Sequence, residues 1–233
     1  MIELGKLFAM KDHDMQYIEL QKPDESPIEL AWRALRALPG QWYRDFKAIA
    51  ENDPAAKNPV ETFFVHTPYH AIVFYRIAHI LHILKVPIIP RFLSVLMRFW
   101  TGLEIHPGAQ IGCCFFIDHG TGVVVGETAR IGHKCVLFHN VTLGGTGHHS
   151  GKRHPTLGDN VLLGTGATLL GPIKVGDNVK IGAEAVIINR DIPSNCTVVG
   201  APGRIVKREG KHVDEPLPEA EYHQKRKVET NAA

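Results

Sequence analysis

The sequence predicts an α+β chain in two parts, an N-terminal α-helical region followed by a parallel β-helix of short strands. Three observations carry this. Of 22 glycines, 20 lie from Gly102 to Gly210, whereas 14 of the 18 Phe, Tyr and Trp residues fall within the first 100 positions. Helix-forming runs without internal Gly or Pro occupy Gln41 to Glu51 and Pro68 to Lys85. From Ile105 onward an aliphatic residue returns at every sixth position.

The helical part opens at Ser26-Pro27-Ile28-Glu29, a capping-box pattern with proline at the first helical position, where no N–H is needed. Pro39-Gly40 reads as a break. Asn52-Asp53-Pro54 reads as a helix end, because the residue before a proline is pushed out of the helical region. Residues 1–40 are therefore an N-terminal extension, partly helical; 41–100 are the helical domain and 101–206 the β-helix. Residues 207–233, rich in Lys, Glu and Pro, are expected to form a polar, mobile tail.

The repeat runs through Ile105, Ile111, Ile117 and Val123, then Val125, Ile131, Leu137 and Leu143, then Leu157, Leu163, Leu169, Val175, Ile181, Ile187, Pro193, Val199 and Ile205. Sixteen of these 17 positions are Ile, Leu or Val, and nine are followed directly by Gly. Neither a 3.6-residue helix nor strand alternation has period six. A prism does, with short strands as sides, tight corners, one aliphatic residue per side facing the axis, and about five coils of three sides.

The register fails twice, and functional residues are expected where a regular rule is locally broken. A two-residue slip falls within Ile117-Asp118-His119-Gly120-Thr121-Gly122-Val123-Val124-Val125. Between Leu143 and Leu157, 14 residues replace six, so eight leave the coil as a loop containing His148, His149, Arg153 and His154. Histidine can move a proton near neutral pH, which makes His119 beside Asp118, and His154 beside Arg153, candidates for acid–base work.

Lys+Arg 26 against Asp+Glu 24 gives a formal charge of +2, which removes a generic electrostatic claim on nucleic acid or anionic membrane. The most apolar stretch, Ile72 to Ile89, is interrupted by Arg76, His79, His82 and Lys85, and the N-terminus lacks a cationic-then-apolar leader, so a soluble cytoplasmic protein is expected. Cys113, Cys114, Cys135 and Cys196 contain no CxxC and read as small apolar fillers in a reducing compartment, with no metal site. His79 and His82, one helical turn apart, read as a polar helix face.

Four motifs in order, Glu104-Ile105-His106-Pro107, Asp118-His119-Gly120-Thr121-Gly122, Leu143-Gly144-Gly145-Thr146-Gly147 and Lys152-Arg153-His154-Pro155, resemble the serine O-acetyltransferase family. Asn52-Asp53-Pro54-Ala55-Ala56 and Tyr75-Arg76-Ile77-Ala78-His79 resemble that family's helical domain; the likeness runs from about Gln41 to Ile205 and leaves residues 1–40 and the tail poorly matched. The resemblance implies a left-handed parallel β-helix of hexapeptide repeats, commonly trimeric, and acetyl transfer from acetyl-CoA to the hydroxyl of L-serine, giving O-acetylserine for cysteine synthesis. By resemblance His119 is the general base and Glu104 orients its ring, although aspartate is usual at that place. Asp53 and Asp118 would receive the serine ammonium, Arg153 its carboxylate, and His154 would hydrogen-bond the substrate. Backbone at Gly145, Thr146, Thr165 and Ala183 would hold the pantetheine arm, Thr165 replacing a usual alanine.

Longer members pair two trimers into a hexamer through the helical part. Members also bind the next pathway enzyme, O-acetylserine sulfhydrylase, through a C-terminal isoleucine; this sequence ends Asn231-Ala232-Ala233, which speaks against that complex. Three other readings compete: acetyl transfer to homoserine or a sugar, a zinc-dependent carbonic anhydrase of the same repeat using His119, His149 and His154, and a non-catalytic scaffold.

Overall fold

The computed structural model describes residues 26–147 and 150–222. Most of the N-terminal extension, His149 and the terminal Asn231-Ala232-Ala233 lie outside the described residues. Among the described residues four helices come first: α1 (Pro27–Asn52), α2 (Pro59–Val65), α3 (Thr67–Ile83) and α4 (Ile89–Thr101). The capping box forms, with Ser26 Oγ accepting from the Glu29 N–H at 3.2 Å and the Glu29 carboxylate accepting from the Ser26 N–H at 2.8 Å.

Pro39-Gly40 does not break α1, which crosses the boundary drawn at residue 40. Its buried positions Leu30, Ala31, Ala34, Leu38, Gln41, Asp45, Ala48 and Ile49 form one stripe at helical spacing on both sides of Pro39. Ala31, Ala34 and Leu38 cluster with Ile80 of α3, and this burial offsets the backbone hydrogen bond that proline removes. α1 ends at Asn52, as the following Asp53-Pro54 requires.

The rest is a three-sided prism of five coils. Its first face stacks Glu104–Ile105, Val124–Val125, Thr142–Gly144, Thr168–Leu170 and Val186–Ile188 in parallel. The second stacks Gln110–Ile111, Arg130–Ile131, Thr156–Leu157 and Lys174–Val175, extended by a bridge to Ile192. The third stacks Phe116–Ile117, Val136–Leu137, Leu162–Leu163, Lys180–Ile181 and Cys196–Val199. Each side contributes a second inward residue two positions before the counted one, such as Ala109, Phe115, Ala129, Cys135 and Val141, all fully buried. Val123 belongs to this second set, so the slip is a single step of eight from Ile117 to Val125. The repeat also slips by one after Ile187: Ile192 and Val198 face the axis at 2% and 0% exposure, while Val199 is 38% exposed. A five-residue step at Asp191-Ile192 was hidden because Pro193 and Val199 preserved the count.

Both ends of the prism are closed, which removes the open strand edges such a stack would present. At the start, α3 and α4 donate to carbonyls of the first coil: Ser94 to Ile105 (2.7 Å), His79 Nδ1 to Pro107 (2.7 Å), the Tyr75 hydroxyl to Ala109 (2.6 Å), and Arg76 to Ile111 and Gly112. Arg76 also pairs with Asp45 at 3.1 Å, and Asp45 accepts the Phe115 N–H at 3.1 Å. Burial raises the Asp45 carboxyl while Arg76 and the Phe115 N–H pull it down. At the far end, Arg204–Arg208 and Lys211–Pro216 form an antiparallel hairpin on the third face, and Leu217 and Ala220 are buried beyond it. The stretch expected to be a mobile tail is thus folded up to residue 222, because its few apolar residues cover the last coil.

His79 is not part of a solvated helix face: it is buried, and burial pushes its imidazole down to about 4. The neutral ring is favoured in the folded state, so its contribution is fully present above about pH 6.5 and is lost as pH falls toward 4. Thermal melting is expected to weaken through that window, and His79→Gln to flatten the dependence; an identical pH profile in the variant would count against this assignment. Cys135 and Cys196 are buried fillers, but Cys113 Sγ lies 3.2 Å from His133 Nδ1 and 3.6 Å from Cys114 Sγ, a polar contact rather than apolar filling.

Candidate functional site

The two register breaks build two clusters on two different edges of the prism. The first is the corner Asp118-His119-Gly120-Thr121-Gly122, where the chain passes from the third face to the first. His119, Gly120 and Gly122 all take positive φ (59°, 70° and 77°). A Cβ at Gly122 would fall 2.1 Å from Asn140 Oδ1 and one at Gly120 2.8 Å from Leu103 Cδ1, so both glycines are required. The turn throws the His119 side chain outward, 77% exposed, with Nε2 3.7 Å from Asp118 Oδ1. The His139 ring stands edge-on at 6.0 Å one coil below, its Nδ1 buried without a hydrogen bond among the described residues.

The helical domain reaches this corner because Ile49 and Tyr69 cluster with Phe116, two residues before Asp118. That brings in Asp53 at the end of α1, whose carboxylate accepts the Ala55 N–H at 2.8 Å. His66 joins them: burial lowers its imidazole, and the carboxylates of Asp53 and then Asp118 oppose that shift. Glu104, on the first strand, pairs with Arg98 of α4 at 2.9 Å; among the described residues no ion pair links it to His119.

The second cluster lies on the edge between the first and second faces, where the loop after Gly144 returns at Thr156. The His154 ring is 8% exposed, and a Cβ at Gly126 would fall 2.0 Å from its Cδ2, so that glycine makes room for it. Nδ1 accepts the Thr128 N–H at 3.1 Å, with the Thr128 hydroxyl 2.9 Å away. A backbone N–H can only donate, so the neutral ring carries its proton on Nε2, which has no hydrogen-bond acceptor among the described residues and can donate to a ligand. Burial, then Arg153 and Lys152, lower the His154 imidazole. Arg153 forms an ion pair with Glu127, which holds that carboxyl below its usual range. Sequence reading missed Gly126, Glu127 and Thr128; the available signal was a polar Gly-led corner one coil above the loop.

The cofactor candidates divide in the same way. Gly145 and Thr146 lie on the His154 edge, Gly145 against the Arg153 carbonyl and Thr146 donating to Asn189 Oδ1 at 3.1 Å. Thr165 and Ala183 lie on the His119 edge, stacked below His139 at the corners before the Thr168 and Val186 strands. His119 and His154 thus share no site within one chain. Among the described residues no group of three His, Cys, Asp or Glu is arranged to hold a metal ion, and no helix is long and apolar enough to cross a membrane.

The bacterial transferase hexapeptide family (six repeats) matches residues 154–189. The chain is 54% identical over 170 residues to a serine acetyltransferase of Synechococcus elongatus, covering 73% of this chain and 69% of that one. It is 48% identical over 173 residues to a serine acetyltransferase of Bacillus subtilis, covering 74% and 79%. A solved serine acetyltransferase in complex with cysteine superposes with a TM-score of 0.73 at 37% identity, covering 78% of this chain and 75% of that one. The Neisseria gonorrhoeae serine acetyltransferase in complex with serine superposes with a TM-score of 0.71 at 35% identity, covering 84% and 81%. The prism is therefore the left-handed β-helix of hexapeptide repeats, and with its two histidine-bearing corners set on that scaffold the chain belongs to the serine acetyltransferase family.

Proposed function

We infer that the chain transfers acetyl from acetyl-CoA to the hydroxyl of L-serine, giving O-acetylserine for cysteine synthesis. The observation that carries the mechanism is the division of the polar residues between two edges separated by the whole first face. Neither cluster grips a zwitterionic amino acid alone. In a homotrimer with its three-fold axis beside the first faces, the His119 edge of one protomer meets the His154 edge of the next. The exposed apolar side chains Phe92, Phe99 and Trp100 of α4 favour an assembly that covers them, and a hexamer of two trimers is one way to do so.

At that seam His119 takes the serine hydroxyl proton as the oxygen attacks the thioester carbonyl. Glu104 would orient the ring by leaving Arg98 and accepting the other ring N–H. Asp53 and Asp118 receive the ammonium, Arg153 receives the carboxylate through its planar fork, and His154 donates from Nε2. Backbone N–H groups near Gly145 and Thr146 support the oxyanion and the pantetheine arm, with Thr165 and Ala183 holding that arm from the facing protomer. Collapse of the tetrahedral intermediate releases CoA thiol. This chemistry belongs in the cytoplasm, where acetyl-CoA is made, and it needs no metal, membrane or nucleic acid. Binding to O-acetylserine sulfhydrylase is not part of this proposal.

Thiol release from acetyl-CoA with serine, homoserine and a sugar panel tests the substrate; equal rates with homoserine would overturn the serine assignment. Arg153→Ala is expected to raise the serine KM about 10- to 100-fold, the loss of one charge-assisted pair, with kcat changed much less. The shared site has its own test. Co-folding a His119→Ala chain with an Arg153→Ala chain, assayed at serine well below the KM of the Arg153 variant, should restore about a quarter of the sites by random mixing, and no recovery would place each site within one chain.

A further inference from the structure

Lys152 precedes Arg153 and has no part in the reaction above. Its Nζ donates to two carbonyls, Thr128 at 2.6 Å and Pro155 at 3.1 Å. Among the described residues it has no carboxylate partner, and the neighbouring Arg130 has none either. The amine therefore has carbonyl acceptors but no counter-charge, and a guanidinium beside it opposes the ammonium form. Burial, and then the Arg130 guanidinium, bring the amine down to about 7. The side chain sits between two cavities. One, of about 340 Å³, is bounded by His82, Gln110, Glu127 and Arg130; the other, of about 760 Å³, runs along the second face past Thr156, Lys174 and Asp191.

We propose that Lys152 is an acyl-acceptor site, modified by activated acetyl donors that enter these cavities. Nζ attacks the acetyl carbonyl carbon, an amide bond forms, and the bond from that carbon to sulfur or phosphate oxygen breaks. The leaving group departs with the electron pair and takes up the proton that the amine loses, so a lysine amine and an acetyl donor become an acetyl-lysine and a free thiol or phosphate. Arg130, unpaired beside the amine, would draw the phosphate of an acyl phosphate or of a phosphorylated thioester. The product amide keeps one N–H for two carbonyls, which loosens the foot of the loop bearing Arg153 and His154.

The test uses the full chain, without serine, in two arms, acetyl-CoA and acetyl phosphate, with peptide mass mapping of acetyl-lysine over time at neutral pH. Lys152 is expected to label at least about tenfold faster than exposed Lys47 and Lys211, since only the neutral amine is a nucleophile, and its rate should level off above neutral pH. The fast component should vanish in Lys152→Arg. Fast labelling in one arm alone supports the site and names its donor. Labelling of Lys152 no faster than Lys47 in both arms overturns it. The acetyl phosphate arm does not depend on serine acetylation, so failure of the proposal and failure of the enzymatic reading are separable.

Discussion

His119→Ala is expected to reduce turnover with serine by about 10²–10⁴, the range for removing a placed general base, with the oligomer and its melting temperature unchanged. The stability half of this expectation follows from position. The side chain is 77% exposed and its recorded neighbours are the Asp118 carboxylate and the His139 ring, so truncation opens no cavity. The corner at φ 59° keeps a Cβ in either case, so the backbone strain there changes little. Steady-state kinetics beside size-exclusion chromatography checks both halves. A variant that keeps more than about a tenth of the wild-type rate would remove His119 from the role of base.

Arg76→Ala is expected to cost about 3–5 kcal/mol, the usual penalty for stranding one partner of a buried ion pair. Asp45 is 0% exposed and would keep only the Phe115 N–H, while the carbonyls of Ile111 and Gly112 would lose their donor. Replacing both charges together, Asp45→Leu with Arg76→Met, should recover much of that loss. Urea unfolding of the single and double variants measures the difference. A single-variant loss below about 1 kcal/mol would mean that the pair behaves as a solvated surface bridge. Because α1 carries both Asp45 and Asp53, the same variant should raise the serine KM in whatever fraction remains folded.

The repeat was legible because the prism repeats its geometry, and its two breaks marked the corners that carry His119 and the His154 loop. Other features were not, and each has a local cause. Pro39 looked like a helix stop because propensity counts the missing N–H, whereas the buried stripe that overrides it exists only against Ile80 and Arg76. Tyr75, Arg76 and His79 could be recognised as a motif but not explained, since their partners are carbonyls more than 25 residues away. Thr128 and Glu127 were overlooked for the same reason: their partners His154 and Arg153 are 26 positions on in sequence and one coil away in space.

By itself the sequence determined the period, the number of coils, the two breaks at 117–125 and 143–157 and the residue types waiting there, all of which are local or repeat at a fixed interval, whereas the five-residue step at Asp191-Ile192 was not legible in it. Only the tertiary structure decided which groups meet. It assigned His119 and His154 to different edges, gave Glu104 to Arg98, drew Asp53 toward Asp118 by way of Ile49 and Phe116, and turned the supposed tail into the cover of the last coil. The physical reason is that a periodic pattern fixes how a chain winds, whereas pairings across coils and between layers are set by which apolar surfaces bury one another, information held jointly by residues far apart in sequence.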